Sequence, residues 1–187
     1  MTQSTQKDEV ADDARDTVEV LLRMRIPWLI IGLIGGVFVS FIVSRFESVL
    51  SKNIALAYFL PFIVYMSDAV GTQTETIYIR NLIKSQISFK MYFIKETIQG
   101  ILFGALFGSL IGTISFVWLQ NLNTSITVGI AMFLTMSAAP AIALIVAEVL
   151  FKKHRDPALG AGPFTTLLQN VVSVVIYFIV ASFILFK

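Results

Sequence analysis

The sequence predicts an all-α membrane protein with five transmembrane helices per protomer, the N-terminus cytoplasmic and the C-terminus outside. Three observations lead there. Of the 187 residues 56% are hydrophobic and only 14% charged, more apolar surface than a soluble domain of this length can hide. The apolar residues fall into five runs that nearly exhaust the chain, each close to the roughly 20 residues a bilayer crossing needs. Positive charge gathers in two connections, the asymmetry that sets orientation. Arg80, Lys84, Lys90 and Lys95 lie between the second and third runs, and Lys152, Lys153 and Arg155 between the fourth and fifth. The connection around Gln120–Thr127 is uncharged, and the one holding Arg45, Glu47 and Lys52 is nearly balanced.

Residues 1–22 read as a polar cytoplasmic tail rich in acids, among them Asp8, Glu9, Asp12, Asp13, Asp16 and Glu19. Such a start is the reverse of a cleavable leader. The apolar pattern from Val18 suits a short interfacial helix. Residues 23–187 form the membrane domain. The first span, about Ile26 to Val43, opens with Pro27 and Trp28, the latter suited to the headgroup level. Its Gly32, Gly36, Ser40 and Ser44 recur every four residues and predict a face for close helix packing.

The second span begins near Ile54 and is apolar as far as Met66. Ser67, Asp68, Thr72, Gln73, Thr74, Glu75 and Thr76 follow, an unusual polar density for a membrane segment. Asp68, Thr72 and Thr76 share a helical face, with Glu75 beside it. Asp68 is a functional candidate because an intramembrane carboxylate is expensive to keep. Glu75 is either part of the same pathway or an interfacial group near Arg80. Pro61 can kink the helix.

The third span, about Phe93 to Val117, carries Gly100, Gly104, Gly108 and Gly112 as a packing ladder. Glu96 reads as an interfacial group near Lys90 and Lys95, or as one facing a wet cavity. The fourth span, about Ile126 to Phe151, holds Pro140 and a predicted kink. Glu148, badly placed for the helix dipole, is expected to pair with Lys152, Lys153 or Arg155. The fifth span follows Asp156 at N-cap and Pro157 at N1. Gly160, Gly162 and Pro163 predict irregular first turns. Thr166, Asn170, Ser173 and Tyr177 then fall on one face. Unpaired polar groups do not face hydrocarbon, so this face meets another helix or a wet cavity.

Several function classes are excluded. Without cysteine the chain has no thiolate nucleophile or thiolate metal site. The one histidine, His154, cannot supply a catalytic zinc centre, and no hydrolase or nucleotide-binding motif occurs. No enzyme activity and no nucleic-acid partner are expected. Asp68, Glu75, Thr166 and Asn170 instead offer oxygen donors, the ligands of hard cations. A Mg²⁺ pathway would use a few of them and leave most of the ion's hydration intact. Mn²⁺, Ca²⁺ and Na⁺ fit the same composition.

Two stretches carry a family resemblance. Pro61 to Gln73, with Met66-Ser67-Asp68-Ala69-Val70-Gly71-Thr72-Gln73, resembles the P-x4-M-G-G-N-x-G-[TN]-Q motif of MgtE-type magnesium channels, relatives of the SLC41 carriers. Asp156-Pro157-Ala158, Gly162-Pro163-Phe164, Thr165 through Asn170 and Ile176-Tyr177-Phe178 resemble that family's second motif with its spacing kept. The resemblance spans about residues 23–183. It implies a multi-pass protein of the cell membrane, a homodimer whose second and fifth spans line one pore, with Mg²⁺ as the transported ion. Three departures accompany it. The family's pore aspartate is Asn170 here. The family's Gly-Gly-Asn is Ser67-Asp68-Ala69, so that Asp68 of each copy can replace the missing charge. The cytoplasmic sensor and CBS domains find no match in the short stretch before the first span, so gating through them is not expected. Asp156 matches an acid at the cytoplasmic pore end and also reads as a helix cap. The alternatives are the same scaffold passing Mn²⁺ or a monovalent ion, and a non-transporting partner subunit.

Overall fold

A computed structural model describes residues 17–84, 88–152 and 157–185. The described chain is helical almost throughout: α1 (Val18–Arg45), α2 (Glu47–Lys52), α3 (Ala55–Lys84), α4 (Phe89–Leu119), α5 (Leu122–Lys152) and α6 (Pro157–Leu185). All but the short α2 are long and apolar enough to cross a bilayer. This is the only open-ended solution in hydrocarbon, because a helix satisfies its backbone polar groups within the segment.

The helices differ sharply in what they bury. Over its most apolar window α5 is 56% buried and α1 only 6%. α5 packs against α3, α4 and α6, whereas α1 rests on α6 and touches α2. The core gathers around Leu56, Ile63, Met132, Met136, Val174 and Phe178. At the turn between α1 and α2, Phe46 stacks on Phe178 with ring centroids 4.6 Å apart.

The glycine ladder of α4 meets α5 as its spacing predicts. A Cβ at Gly104 would stand 2.5 Å from the Phe133 carbonyl oxygen, and one at Gly108 would stand 2.7 Å from that of Gly129. Pro140 removes the donor that would have served the Met136 carbonyl, and that carbonyl lies against Gly100. The close approach is therefore backbone against backbone.

Two expectations fail. The face of Gly32, Gly36, Ser40 and Ser44 does not pack within the protomer. Gly32 and Gly36 meet open space, and the Ser40 and Ser44 hydroxyls donate to the Gly36 and Phe41 carbonyls of their own helix. The packed glycine is Gly35, where a Cβ would lie 2.0 Å from Leu167 Cδ1. The rotation of α1 is set by α6, not by the densest row of small residues. Nor are the first turns of α6 irregular: it is helical from Pro157 onward through Pro163. Leaving the helix there would strip several carbonyls of partners, whereas staying in it forgoes one donor.

Both ends of the bundle are pinned by side chains. At one end Asn53 Nδ2 donates to Thr124 Oγ1 at 2.7 Å, joining the start of α3 to the α4–α5 hairpin. That hairpin turns at Gln120 (φ 51°), and Asn121 Oδ1 accepts from the Thr124 amide as a helix cap. At the other end Tyr78 Oη donates to Glu148 Oε2 at 2.6 Å, and Lys152 Nζ lies 2.8 Å from Glu148 Oε1. The expected pairing of Glu148 is thus found with Lys152; Lys153 and Arg155 lie outside the described residues.

Candidate functional site

The polar half of α3 lies along α6, and the two helices bring together residues distant in sequence. Thr166 Oγ1 donates to Asp68 Oδ1 at 2.8 Å. Asp68, Thr166 and Asn170 are each half-buried, and Thr72 and Thr76 are exposed. One side of the α3–α6 pair therefore carries polar groups outward at membrane depth.

The other side is closed. Glu75 is 8% exposed, and Thr165 and Gln169 are 1% exposed each. Gln169 lies in the notch left by the missing side chain of Gly71: a Cβ there would stand 1.7 Å from Gln169 Nε2. One turn further along both helices, Glu75 faces Thr165, with Asp68 also within electrostatic range. Gln169 Oε1, Gln169 Nε2 and Thr165 Oγ1 find no hydrogen-bond partner of good geometry among the described residues. Deeper still, Ser67 Oγ donates to the Thr135 carbonyl at 3.3 Å, carrying the polar contact into α5.

The face predicted for the fifth span divides. Thr166 and Asn170 stay half open, while Ser173 is buried and Tyr177 Oη donates to the Leu56 carbonyl at 2.7 Å. A third polar group lies between α3 and α4. Glu96 accepts from Thr74 Oγ1 at 2.8 Å and from Gln99 Nε2 at 3.3 Å, beside a cavity of about 70 Å³. A groove of about 680 Å³ opens between α4 and α5, lined by residues such as Gly108, Gly129 and Phe133 and by no acid. It is large, but its oxygen donors are the neutral hydroxyls of Ser109, Thr113 and Ser125, and it carries no charge for an ion. Among the described residues no three His, Cys, Asp or Glu side chains converge. Asp156 and His154 lie outside the described residues.

Of the sequence candidates, Asp68 and Thr166 are joined directly. Asn170 lies one turn from Thr166 on α6, and Glu75 is enclosed within the protomer. The packing of Gln169 against Gly71, the enclosure of Thr165 and the Thr74–Glu96 bond do not follow from the motifs themselves. A signal for part of this exists: Ser67, Gly71, Thr74, Glu75 and Tyr78 follow the i, i+4, i+7, i+8, i+11 spacing of one inward face.

These features define a polytopic all-helical membrane protein with oxygen donors concentrated where two of its spans meet. Residues 60–180 match the MgtE family, described as a divalent cation transporter. The chain is 34% identical over 161 residues to the magnesium transporter MgtE of Bacillus subtilis, covering 84% of this chain and 36% of that protein. It is 31% identical over 161 residues to the MgtE of Enterococcus faecalis, and 30% identical over 170 residues to that of Thermus thermophilus. The chain belongs to the MgtE family. It spans about a third of the length of the curated relatives it matches, 36% in each case.

Proposed function

We propose that the chain moves Mg²⁺ across the membrane as a homodimer, with α3 and α6 of both copies lining the path. The observation that carries this reading is the Asp68–Thr166 hydrogen bond at the half-open polar face, with Thr72 and Thr76 exposed on the same side of α3. Polar groups facing outward at membrane depth need a second protein surface or water. A second copy presenting the same face supplies both and doubles the carboxylates. The names of the relatives, magnesium transporters, favour the ion.

Asp68 supplies the negative charge near mid-span, and Thr166 orients it. Asn170 contributes an oxygen without charge where the family's acid would stand, and Glu75 adds charge from behind. Asp156 would stand at the cytoplasmic mouth. A few fixed oxygens around a largely hydrated ion suit Mg²⁺, which dehydrates reluctantly. The charge of the connections favours cytoplasmic placement of the α3–α4 and α5–α6 links.

Purified protein in liposomes loaded with a Mg²⁺ dye tests the reading. Wild type takes up Mg²⁺, and Asp68→Asn lowers the initial rate at least about tenfold, the scale of losing a charged partner for a divalent ion. No uptake by wild type would refute transport by this chain alone. An unchanged rate for the variant would remove Asp68 from the path. The neutral Asn170 favours one second reading, passage of Mn²⁺ or a monovalent ion. Competition by Mn²⁺ and Na⁺ in the same liposomes separates the two.

A further inference from the structure

The closed side of the α3–α6 contact holds an unbalanced set of groups. Glu75 is a buried carboxylate with no cation paired to it among the described residues. A buried ion without a counter-charge is among the most unfavourable arrangements in a protein. Beside it are the Thr165 hydroxyl, which faces the Glu75 carboxylate, and an unpartnered amide on Gln169, both on residues 1% exposed. Buried polar atoms are nearly always satisfied, so each exception asks for an occupant. The amide is not stranded by accident. Gly71 provides the notch that admits it, and any side chain there would push it out.

Charge counting selects the occupant. One carboxylate, one hydroxyl oxygen and one amide oxygen, all on buried residues, supply a single negative charge. A divalent ion would keep an uncompensated charge and would have to shed most of its water, which Mg²⁺ resists. Asp68, the nearest second acid, is engaged by Thr166 on the open side.

We propose that Glu75, Thr165 and Gln169 form a seat for one dehydrated alkali-metal cation inside each protomer, separate from the open Asp68–Thr166 face. The seat is complete within one chain and needs no second copy. The inference stands apart from the Mg²⁺ reading because its readout is binding, not flux.

The test is the melting temperature of the purified full chain in detergent, with EDTA present and ionic strength held constant. Choline chloride is exchanged stepwise for NaCl or KCl. Wild type should gain about 4 °C at ten times the dissociation constant, and the gain should saturate. Glu75→Gln and Gln169→Leu should lose the gain, while Asp68→Asn keeps it. Identical melting in choline, Na⁺ and K⁺ would overturn the proposal and leave the groups to water or to a protonated Glu75. A gain that survives Glu75→Gln would overturn it too, as would a gain given by Mg²⁺, in a series without EDTA, but by neither alkali ion. Should Glu75→Gln fail to fold, Thr165→Val serves in its place, and the wild-type salt series alone still decides whether a cation binds.

Discussion

The α4–α5 and α3–α6 contacts are built from opposite materials. α4 meets α5 through glycines, so close that carbonyl oxygens of one helix take the space of the other's missing side chains. α3 meets α6 through Asp68, Glu75, Thr165, Thr166 and Gln169. In lipid the hydrophobic effect does not drive helices together, so close van der Waals packing and interhelical hydrogen bonds must do so. The first contact is mostly close packing, with one long hydroxyl pair, Ser125 to Ser115 at 3.4 Å, near the hairpin. The second leaves polar capacity unspent. The proposed transport role would use both: a fixed frame, and a face that can trade partners with an ion.

Substituting glycines across the two contacts tests this division. The largest effect belongs to Gly104→Ala. Its methyl would fall 2.5 Å from a backbone oxygen, which cannot rotate away, so α4 must shift against α5. The loss should be about 3 kcal/mol, the upper range for overpacking, measured by denaturant titration in mixed micelles. A loss under about 1 kcal/mol would mean that the frame is softer than its geometry.

Gly71→Ala should come next, at about 1 to 2 kcal/mol. Here the obstructing atom is the end of a flexible side chain, Gln169 Nε2. Turning the amide aside relieves the clash but leaves a buried amide with still fewer options. The variant should therefore melt lower than wild type in alkali salts and lose the alkali-dependent gain. If Gly71→Ala equalled Gly104→Ala in cost, the amide would be as fixed as backbone and the contrast between the contacts would vanish.

Much of this arrangement is legible in the sequence. The five spans follow from apolar run length, which depends on the bilayer and not on tertiary detail. The Gly100–Gly112 ladder announced a packing face because four glycines at a strict interval let a neighbouring backbone approach closely. Glu148 announced a partner because a carboxylate near a helix C-terminus needs one, and Lys152 is within reach one turn on. What could not be read is which of two neighbours on a helix turns inward. Thr165 and Thr166, or Gln169 and Asn170, differ by about 100° of rotation, and only the position of α3 decides that Thr165 and Gln169 are enclosed. The same limit explains α1. Its row of Gly32, Gly36, Ser40 and Ser44 is the more regular, but α6 lies against Gly35.

That rotation gives the smallest and cleanest contrast. Gly35 and Gly36 are adjacent on one helix at one membrane depth, so helix propensity and lipid exposure of the backbone nearly cancel between them. A methyl at Gly35 would meet Leu167 Cδ1 at 2.0 Å, while one at Gly36 would meet nothing within 4 Å. Gly35→Ala should cost about 1 kcal/mol, because the Leu167 side chain can swing but only by giving up packing. Gly36→Ala should match wild type or gain up to about 1 kcal/mol, since added helix propensity is its sole effect inside the protomer. The pair is measured by the same micelle titration at protein concentrations low enough to keep single protomers. Equal losses would mean that α1 is rotated from the position described here. A Gly36→Ala loss that appears only as protein concentration rises would instead place the outward row of α1 against a second copy.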